Sequence, residues 1–344
     1  MPSRQSQIAL SILSPAASTS QAHSPVGFTS RKTYESPTKA KSTPPKTKPR
    51  FRTTLTHLRS ISRGKVIYAT HSPLFVGLDR FNQIRLLRKT ANGADKPKIT
   101  NVVGTTLDKV AEKIWAADGG IGTKHTGAEL GHRLHAIMTP WINEGFFANV
   151  VVLVEGEDDC AAILGMARVL NKDLEGNGIS VIPMSGKRSL DRPAVIFMEF
   201  GIPVYILWDS DGNRGATAGV CQTCGKPLDG RPDPADNHRL LRIVQATPED
   251  WPARQEAHYC CFKTDLESTL KAEIGDALFE KLLSDCQTEF GIPKRKHAVK
   301  NPTVISTIIE RAQKNGKTSK ALENVVLSIC KLADNQPKII ETTF

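Results

Sequence analysis

The segment Val150–Asp159, VVVLVEGEDD, decides the fold, because five apolar residues lead directly into four acids among the next five positions. A continuous apolar run rich in valine predicts a short strand that is buried on both faces. Carboxylates at the end of such a strand need an explanation, since an unpaired charge is costly to bury. The first question is therefore what neutralises these acids.

Strands and helices alternate after this segment. A helical pattern follows at residues 160–170, then the strand ISVIPM, the helix DRPAVIFMEF and the strand PVYILW. Apolar strands joined by helices predict an α/β fold, with a parallel sheet flanked by helices. Right-handed crossovers place the carboxyl ends of the three strands at one edge of the sheet, where such folds bind ligands.

A second acidic cluster follows the third strand. It is DSDGN, in which Asp209 and Asp211 are separated by one residue. Helix capping explains Glu157 and Asp158, since acids in a first turn complement the helix dipole, but it explains neither Glu155 nor the second cluster. Close carboxylates repel each other unless a cation lies between them, so the pattern predicts a site for Mg²⁺ or Mn²⁺.

The two clusters together resemble the Toprim domain that topoisomerases, primases and some nucleases share. VLVEGEDD and LWDSDGN are similar to its Glu-Gly and Asp-x-Asp-Gly motifs, in the same order. ATHSPLFVGLDRFNQIRLLRK resembles the end of an ABC-type ATPase head, and EGFFANVVVLVEGEDD resembles the junction of that head with Toprim in the overcoming lysogenization defect (OLD) nucleases. NHRLLRI, FKTDLESTL and KNPTVISTII are similar to the rest of the same domain.

The resemblance implies metal ligands. Glu155 and Asp159 match the first pair of ligands, with Glu155 also catalytic, and Asp209 and Asp211 match the second pair. In a site of this kind two ions about 4 Å apart activate a water molecule and neutralise the leaving 3′ oxygen. Five carboxylates, with Glu267 as the fifth, would hold two Mg²⁺ or Mn²⁺ ions.

Further roles follow from the same resemblance. Glu267 matches a carboxylate that helps to hold the second ion, and Asp265 could exchange roles with it. Lys300 matches a lysine that stabilises charge on the scissile phosphate, the alternative being an exposed surface lysine. Lys187 and Arg188 follow the second strand and could contact the DNA backbone, the alternative being a solvated turn.

The ATPase part of the resemblance is incomplete. His71, in THSP, matches a histidine that contacts the nucleotide γ-phosphate, but no Gly-x-x-x-x-Gly-Lys-Ser/Thr loop accompanies it. In NGKT at 315–318, Arg311 stands where the first glycine should be. We expect no ATP hydrolysis by this chain alone, and ATP as a cofactor only where a separate ATPase subunit completes the site.

Cysteines form a second departure from the family. CQTCGKP contains Cys221 and Cys224 in a Cys-x-x-Cys-Gly half-site for structural zinc. Cys260, Cys261 or His258, in HYCC, could complete a tetrahedral site. The alternative is a set of reduced thiols that merely lie near one another.

The charge of the chain is concentrated at its beginning. Residues 1–65 contain twelve Lys and Arg and one acid, which accounts for the whole net charge of +11. We expect a disordered basic Ser/Thr/Pro-rich arm over residues 1–60, with an organellar transit peptide as the alternative. Residues 61–148 would be the C-terminal remnant of the ATPase head with linking helices, beginning with a short buried strand in KVIYAT. Residues 149–344 would be the Toprim nuclease domain, with a Cys-containing insertion at about 214–260.

These patterns predict a divalent-metal-dependent DNA endonuclease of the OLD type, acting in phage defence or DNA processing. The alternative is a non-catalytic Toprim protein that binds DNA or a separate ATPase. A topoisomerase would need a nucleophilic tyrosine on an additional domain, and none of the four tyrosines has room for one. Expected partners are DNA, a second copy of the chain and an ATPase subunit. No apolar run could span a bilayer, and seven cysteines without a secretory signal favour the cytoplasm.

Overall fold

A computed structural model describes most of the chain from residue 67 onward. The described residues are 8–11, 67–90, 99–134, 140–212, 217–220, 227–230 and 234–335. The chain divides into two compact units, one of residues 11–68 and one of residues 1–10 with 69–344. Most of the first unit, and nearly all of the predicted basic arm, lies outside the described residues. Within that arm residues 8–11 form a strand, and disorder of the arm stays a prediction.

Strands precede the helices in the first part of the chain. Within the described residues they are β1 (Ile8–Ser11), β2 (Ile67–Thr70), β3 (Ile84–Thr90) and β4 (Ile99–Val103). β3 pairs antiparallel with both β1 and β4. In KVIYAT the described residues Ile67–Thr70 are confirmed as a strand, but the prediction that this strand is buried is wrong, since Ile67 is 68% exposed. The buried residues of this region come later, in the 3₁₀ turn Leu78–Gln83 and in β3.

Helices then connect these strands to the segment that decides the fold. They are α1 (Leu107–Ala117), α2 (Gly127–Leu134) and α3 (Pro140–Glu144). Thr106 begins α1 by accepting a hydrogen bond from the backbone N–H of Lys109, as an N-cap should. Phe146 follows α3 and packs edge-on against Phe197 and Phe200, with ring centroids 5.2 and 5.4 Å away. These aromatic contacts fix the entry of the chain into the sheet.

The alternating strands and helices are confirmed. They are β5 (Val150–Val154), α4 (Glu157–Val169), β6 (Ile179–Pro183), α5 (Asp191–Glu199) and β7 (Val204–Asp209). β5 lies between β6 and β7 and is parallel to both. All five residues of β5 are buried, which agrees with their continuous apolar character.

The sheet continues beyond the strands that the sequence predicts. The next elements are β8 (Thr217–Val220), β9 (Pro227–Gly230), α6 (Ala235–Ile243), β10 (Arg254–Gln255) and β11 (Tyr259–Phe262). β8 and β9 form an antiparallel pair inside the predicted insertion. β11 pairs parallel with β7, and β10 pairs antiparallel with β11, so the order is β10-β11-β7-β5-β6.

Helices complete the fold after β11. They are α7 (Leu266–Ile274), α8 (Asp276–Glu289), α9 (Arg295–Ala298), α10 (Pro302–Lys314) and α11 (Lys320–Asp334). NGKT lies in the short connection between α10, whose C-cap is Asn315, and α11, which begins at Lys320, so a helix precedes it instead of the strand that leads into a phosphate-binding loop. No helix in the described ranges is long and apolar enough to cross a membrane.

Helices cover both faces of the sheet, which explains why its strands are apolar throughout. Alternate residues of β5, Val150, Val152 and Val154, belong to one large core that includes α4, α7, α8, α10 and α11. Val151 and Leu153 point to the opposite face, where α5 packs, and both are fully buried. The polar edge of the sheet is left as the place where charged groups can collect.

Replacing Gly165 of α4 tests the close contact between α4 and α10. A Cβ atom on Gly165 would lie 2.8 Å from Cγ2 of Ile305 and 3.0 Å from the carbonyl oxygen of Pro302. Gly165→Ala should therefore overpack the core and lower the free energy of unfolding by about 1–3 kcal/mol, measured by urea denaturation.

Gly131→Ala in α2 is the matched control. Its Cβ would meet nothing closer than 3.8 Å, so the better helix propensity of alanine should raise stability by up to about 1 kcal/mol. Equal effects of the two substitutions would contradict the predicted packing of α4 on α10.

Candidate active site

Four parallel strands direct polar residues to one edge of the sheet. Glu155 follows β5, Lys187 follows β6, Asp209 ends β7 and Asp265 comes shortly after β11. Because all four strands run in the same direction, their carboxyl ends meet at this edge. Residues far apart in the chain are thus brought together by the strand pairing alone.

Backbone hydrogen bonds hold the central acids in place. Oε1 of Glu155 accepts a hydrogen bond from the backbone N–H of Asp209 at 2.8 Å. Oδ1 of Asp209 in turn accepts one from the backbone N–H of Leu266, at the start of α7, at 3.1 Å. The two carboxylates therefore link the ends of β5 and β7 to the first turn of α7.

Three of the acids at this edge have little contact with water. Asp159 is buried, and Glu155 and Asp209 are partly buried. Burial, reinforced by neighbouring carboxylates, raises the pKa of Asp209 to about 9 and that of Asp159 to about 7. Burial also raises the pKa of Glu155, although the N–H of Asp209 and the charge of Lys187 lower it. Among the described residues none of the three forms a salt bridge within 4.0 Å.

The neighbours of Asp209 show which acids gather here. After burial, the contributions that raise its pKa come, in decreasing order, from Asp159, Glu155, Asp265 and Asp211. Like charges that lie close together disfavour ionisation of one another. Four of the five acids implied as metal ligands are therefore brought together, and Asp265 joins them.

The first turn of α4 divides its acids differently from the sequence interpretation. Oδ2 of Asp159 accepts a hydrogen bond from the backbone N–H of Gly156 at 3.0 Å, so Asp159 caps the helix. The sequence predicted it only as a metal ligand. Glu157 and Asp158 lie in the first turn of α4, as predicted, and Glu157 also forms an exposed salt bridge at 3.1 Å with Lys300. Asp159 is only 6% exposed. The capping hydrogen bond uses Oδ2, so the other oxygen, Oδ1, takes no part in the cap.

The turn after β7 places Asp211 against Lys187. Nζ of Lys187 lies 2.7 Å from Oδ2 of Asp211. Asp211 adopts a left-handed backbone conformation with φ of 60°. Gly212 follows because a Cβ atom there would lie 2.8 Å from the carbonyl oxygen of Lys263, which explains the glycine of Asp-x-Asp-Gly sterically.

Glu267 and Asp265 occupy different environments. Nη1 of Arg295 lies 3.1 Å from Oε2 of Glu267, and Nζ of Lys271 lies 2.9 Å from Oε1. Although burial raises it, these two cations leave the pKa of Glu267 below its ordinary value. Asp265 caps α7 by accepting from the Ser268 backbone N–H at 2.6 Å. The structure therefore places Asp265, rather than Glu267, beside Asp209.

Glu267 still lies near the first pair of predicted ligands. It shares a crevice of about 30 Å³ with Asp158 and Asp159, lined otherwise by apolar side chains of α4, α7, α8 and α10. A space of this size holds one water molecule. The role of Glu267 as a ligand stays a prediction.

Donor chemistry decides whether these residues suit a divalent cation. Carboxylate oxygens are the ligands that Mg²⁺ and Mn²⁺ prefer, and the raised pKa values of Asp159 and Asp209 mean that ionising them is unfavourable until a cation lies nearby. Within the described ranges no three His, Cys, Asp or Glu side chains form a ready-made ligand cluster. The fit therefore rests on the donors and their unbalanced charge.

The predicted zinc ligands are only partly described by the structure. Cys221 and Cys224 lie outside the described residues. Cys260 and Cys261 are neighbours on β11, so their side chains point to opposite faces of the sheet. Burial raises the pKa of the Cys261 thiol to about 11 and that of Cys260 further. The zinc site stays a prediction, in which only one of these two thiols would take part.

The remaining predicted residues are on the surface. His71 is exposed in the turn that follows β2. Arg188 is 81% exposed, lies next to Lys187 at the polar edge and contacts Asp236 at 3.0 Å. Lys300 is also exposed, close to the first turn of α4. Their roles toward nucleotide or DNA stay predictions.

Asn237 is a site residue that sequence reasoning missed. It is 1% exposed, and its Nδ2 donates to the carbonyl oxygens of Ser210 at 3.0 Å and Asp250 at 2.8 Å. Its Oδ1 accepts from Nζ of Lys187 at 3.3 Å. The sequence did contain a hint of its importance, because Asn237 is the first residue of NHRLLRI, a segment that belongs to the family resemblance.

Comparisons with known proteins agree with this geometry. The family model described as the overcoming lysogenization defect protein-like TOPRIM domain matches residues 146–211. An OLD nuclease of Thermus scotoductus is 28% identical over 150 residues, which cover 43% of this chain and 25% of that protein. The chain thus spans about a quarter of the length of that relative.

Solved structures of OLD proteins are also similar to this chain. The C-terminal region of the Burkholderia pseudomallei OLD protein is 21% identical, with a TM-score of 0.32, and covers 54% of this chain and 99% of its own. The C-terminal region of the Xanthomonas campestris pv. campestris OLD protein is 19% identical, with a TM-score of 0.33, and covers 55% and 97%.

The matched residues 146–211 include β5, β6 and β7 and the acids at two of their ends. Glu-Gly after the first of these strands and Asp-x-Asp-Gly after the third are the motifs on which the resemblance was identified. Residues 146–211 are therefore similar to the Toprim domain of overcoming lysogenization defect-like proteins.

Proposed function

We propose that this protein is a divalent-metal-dependent DNA endonuclease of the OLD type. The observation that carries the proposal is the cluster of Glu155, Asp159 and Asp209 at one sheet edge, where burial raises the pKa of each and none of the three forms a salt bridge in the described part of the chain. The OLD-like Toprim family supports a nuclease-like function in general. Because the chain spans only part of its relative, the metal dependence and the substrate are inferred from the site.

The chain's own residues would hold the ion by charge. Glu155 and Asp209 are fixed by backbone N–H groups, so their orientation does not depend on the ion. Asp159 is fixed by the N–H of Gly156 at the start of α4. When bound at such a site, a divalent ion activates water and neutralises the leaving oxygen of a phosphodiester. The three acids supply the negative charge that attracts it.

Basic residues around the edge would bind the DNA backbone. Arg188 and Lys300 are exposed, and each is paired with an acid that water also reaches. Exposed salt bridges contribute little, about 0–1 kcal/mol, so phosphate groups can replace those partners. Contacts of this kind position DNA without reading its sequence.

A second candidate function is binding of DNA or an ATPase subunit without catalysis. The lack of a ready-made three-ligand cluster in the described part of the chain favours it. The two candidates differ in one property, since only the nuclease should cut DNA when Mg²⁺ or Mn²⁺ is added.

Cleavage of DNA tests the proposal directly. The wild-type protein should nick supercoiled DNA in Mg²⁺ or Mn²⁺ without ATP. Asp209→Ala combined with Asp211→Ala should lower the rate by at least about 100-fold, because Asp209, a ligand of the ion, is lost together with the acid next to it. Glu310→Ala, an exposed acid of α10, is the control and should cut like the wild type. Equal cutting by the double variant, or none by the wild type, would contradict the nuclease function.

Competition between protons and metal gives a further prediction. In EDTA the folded protein keeps protons on Asp159 up to about pH 7 and on Asp209 up to about pH 9, whereas the unfolded chain releases them near pH 4. These groups therefore stabilise the fold fully below about pH 4, and that contribution is lost as the pH rises through 7 and 9. The melting temperature in EDTA should therefore fall as the pH rises from about 4 to about 9.

Mg²⁺ should reverse this loss, because it replaces the protons as the source of positive charge. The increase in melting temperature on adding Mg²⁺ should be larger near pH 8 than near pH 5. Asp209→Asn should reduce both the pH dependence in EDTA and the effect of Mg²⁺, while Glu310→Gln should leave both unchanged. An Asp209→Asn variant with the wild-type profile would show that Asp209 is not the titrating group.

A further inference from the structure

We propose that Lys187 is a built-in cation of the acidic edge, so that the site takes one divalent ion, beside Glu155, Asp159 and Asp209, rather than two. The inference rests on the proposed function, since it concerns the same site. It differs from the sequence expectation, in which five carboxylates hold two ions and Lys187 contacts DNA. It also gives Lys187 a positioning role toward the metal.

Lys187 is held inside the site. Its Nζ lies 2.7 Å from Oδ2 of Asp211 and 3.3 Å from Oδ1 of Asn237. The side chain is 11% exposed, whereas the adjacent Arg188 is 81% exposed. A lysine at this depth cannot reach outward to a DNA phosphate without leaving both of its partners.

Asn237 fixes where the ammonium group lies. Its Nδ2 faces two carbonyl oxygens, those of Ser210 and Asp250, which can only accept hydrogen bonds. The amide can therefore be oriented in one way only, with Oδ1 toward a donor, and that donor is Lys187. Because Asn237 is 1% exposed, moving Lys187 away would leave a buried oxygen without a donor, which is unfavourable.

The second implied ligand outside the central cluster is also paired with cations of this chain. Glu267 contacts Arg295 and Lys271, at 3.1 and 2.9 Å. Asp211 and Glu267, two of the five acids that the resemblance implied as ligands, thus both face positive side chains. Glu155, Asp159 and Asp209 accept only backbone N–H groups in the contacts described for them.

Electrostatic repulsion then limits the number of ions. A divalent ion bound by Asp211 would have to approach an ammonium group that already contacts the same carboxylate, and like charges at such distances repel strongly. One ion among Glu155, Asp159 and Asp209 approaches acids that form no salt bridge with Lys187, although the charge of Lys187 still acts on Glu155 from farther away. The fold therefore supplies one positive charge itself and leaves one position for a metal.

Counting bound Mn²⁺ on the full chain without DNA tests this inference. Electron paramagnetic resonance and titration calorimetry should both give one ion per wild-type chain. Lys187→Met removes the charge but keeps the length of the side chain, and it should raise the count to two. Lys300→Met, a surface lysine, is the control and should keep the wild-type count.

Two ions in the wild-type protein, no bound ion, or one ion in both the wild type and a folded Lys187→Met would overturn the inference. If Lys187→Met does not fold, the wild-type count decides alone, together with two further variants. Asp209→Asn should weaken Mn²⁺ binding by at least about tenfold, and Asp211→Asn should leave it close to the wild-type value. Loss of binding in Asp211→Asn would contradict the assigned position of the ion.

The outcome is separate from that of the proposed function. A protein that binds one Mn²⁺ but never cuts DNA would refute the nuclease and support the role of Lys187. A protein that cuts DNA with two bound ions would do the reverse.

Discussion

Parallel pairing of β5 with β6 and β7 is the constraint on which the site depends. It aligns the carboxyl ends of strands that are separated by whole helices in the chain. Since both faces of the sheet are buried, this edge is one of the few places where the central strands can present polar groups. The bond between Glu155 and the N–H of Asp209 is a direct consequence, because it joins two neighbouring strand ends.

Electrostatics divides the acids at this edge into two kinds. Glu267 and Asp211 face lysine or arginine side chains, and the pKa of Glu267 is lowered by the net effect of its partners. Asp159 and Asp209 face other carboxylates and backbone N–H groups, and their pKa values are raised. The same chemical group thus serves two purposes, one in holding the protein together and one in attracting a cation. Proximity in the sequence does not separate the two kinds, since Asp209 and Asp211 are only one residue apart.

Much of this arrangement could be predicted because it depends on local patterns. Continuous apolar runs located β5 and β7, and the direction of crossovers located Glu155 and Asp209 at one edge. The preference for Asp265 over Glu267 could not be predicted, because it depends on how β11 joins the sheet after an insertion. Asn237 was missed for the same reason, since its partners come from three separate segments. The opposite directions of the Cys260 and Cys261 side chains could not be predicted either, because they depend on both residues lying in the strand β11.

The carboxylates of Glu155, Asp159 and Asp209 at the sheet edge should bind a divalent cation. Anomalous X-ray diffraction from crystals soaked in MnCl₂ tests it most directly, because it locates manganese without reference to activity. An anomalous peak is expected within coordination distance of the carboxylates of Asp209, Asp159 and Glu155, with Lys187 still in contact with Asp211. Manganese bound elsewhere on the chain, with this edge lacking anomalous density at saturating MnCl₂, would contradict it.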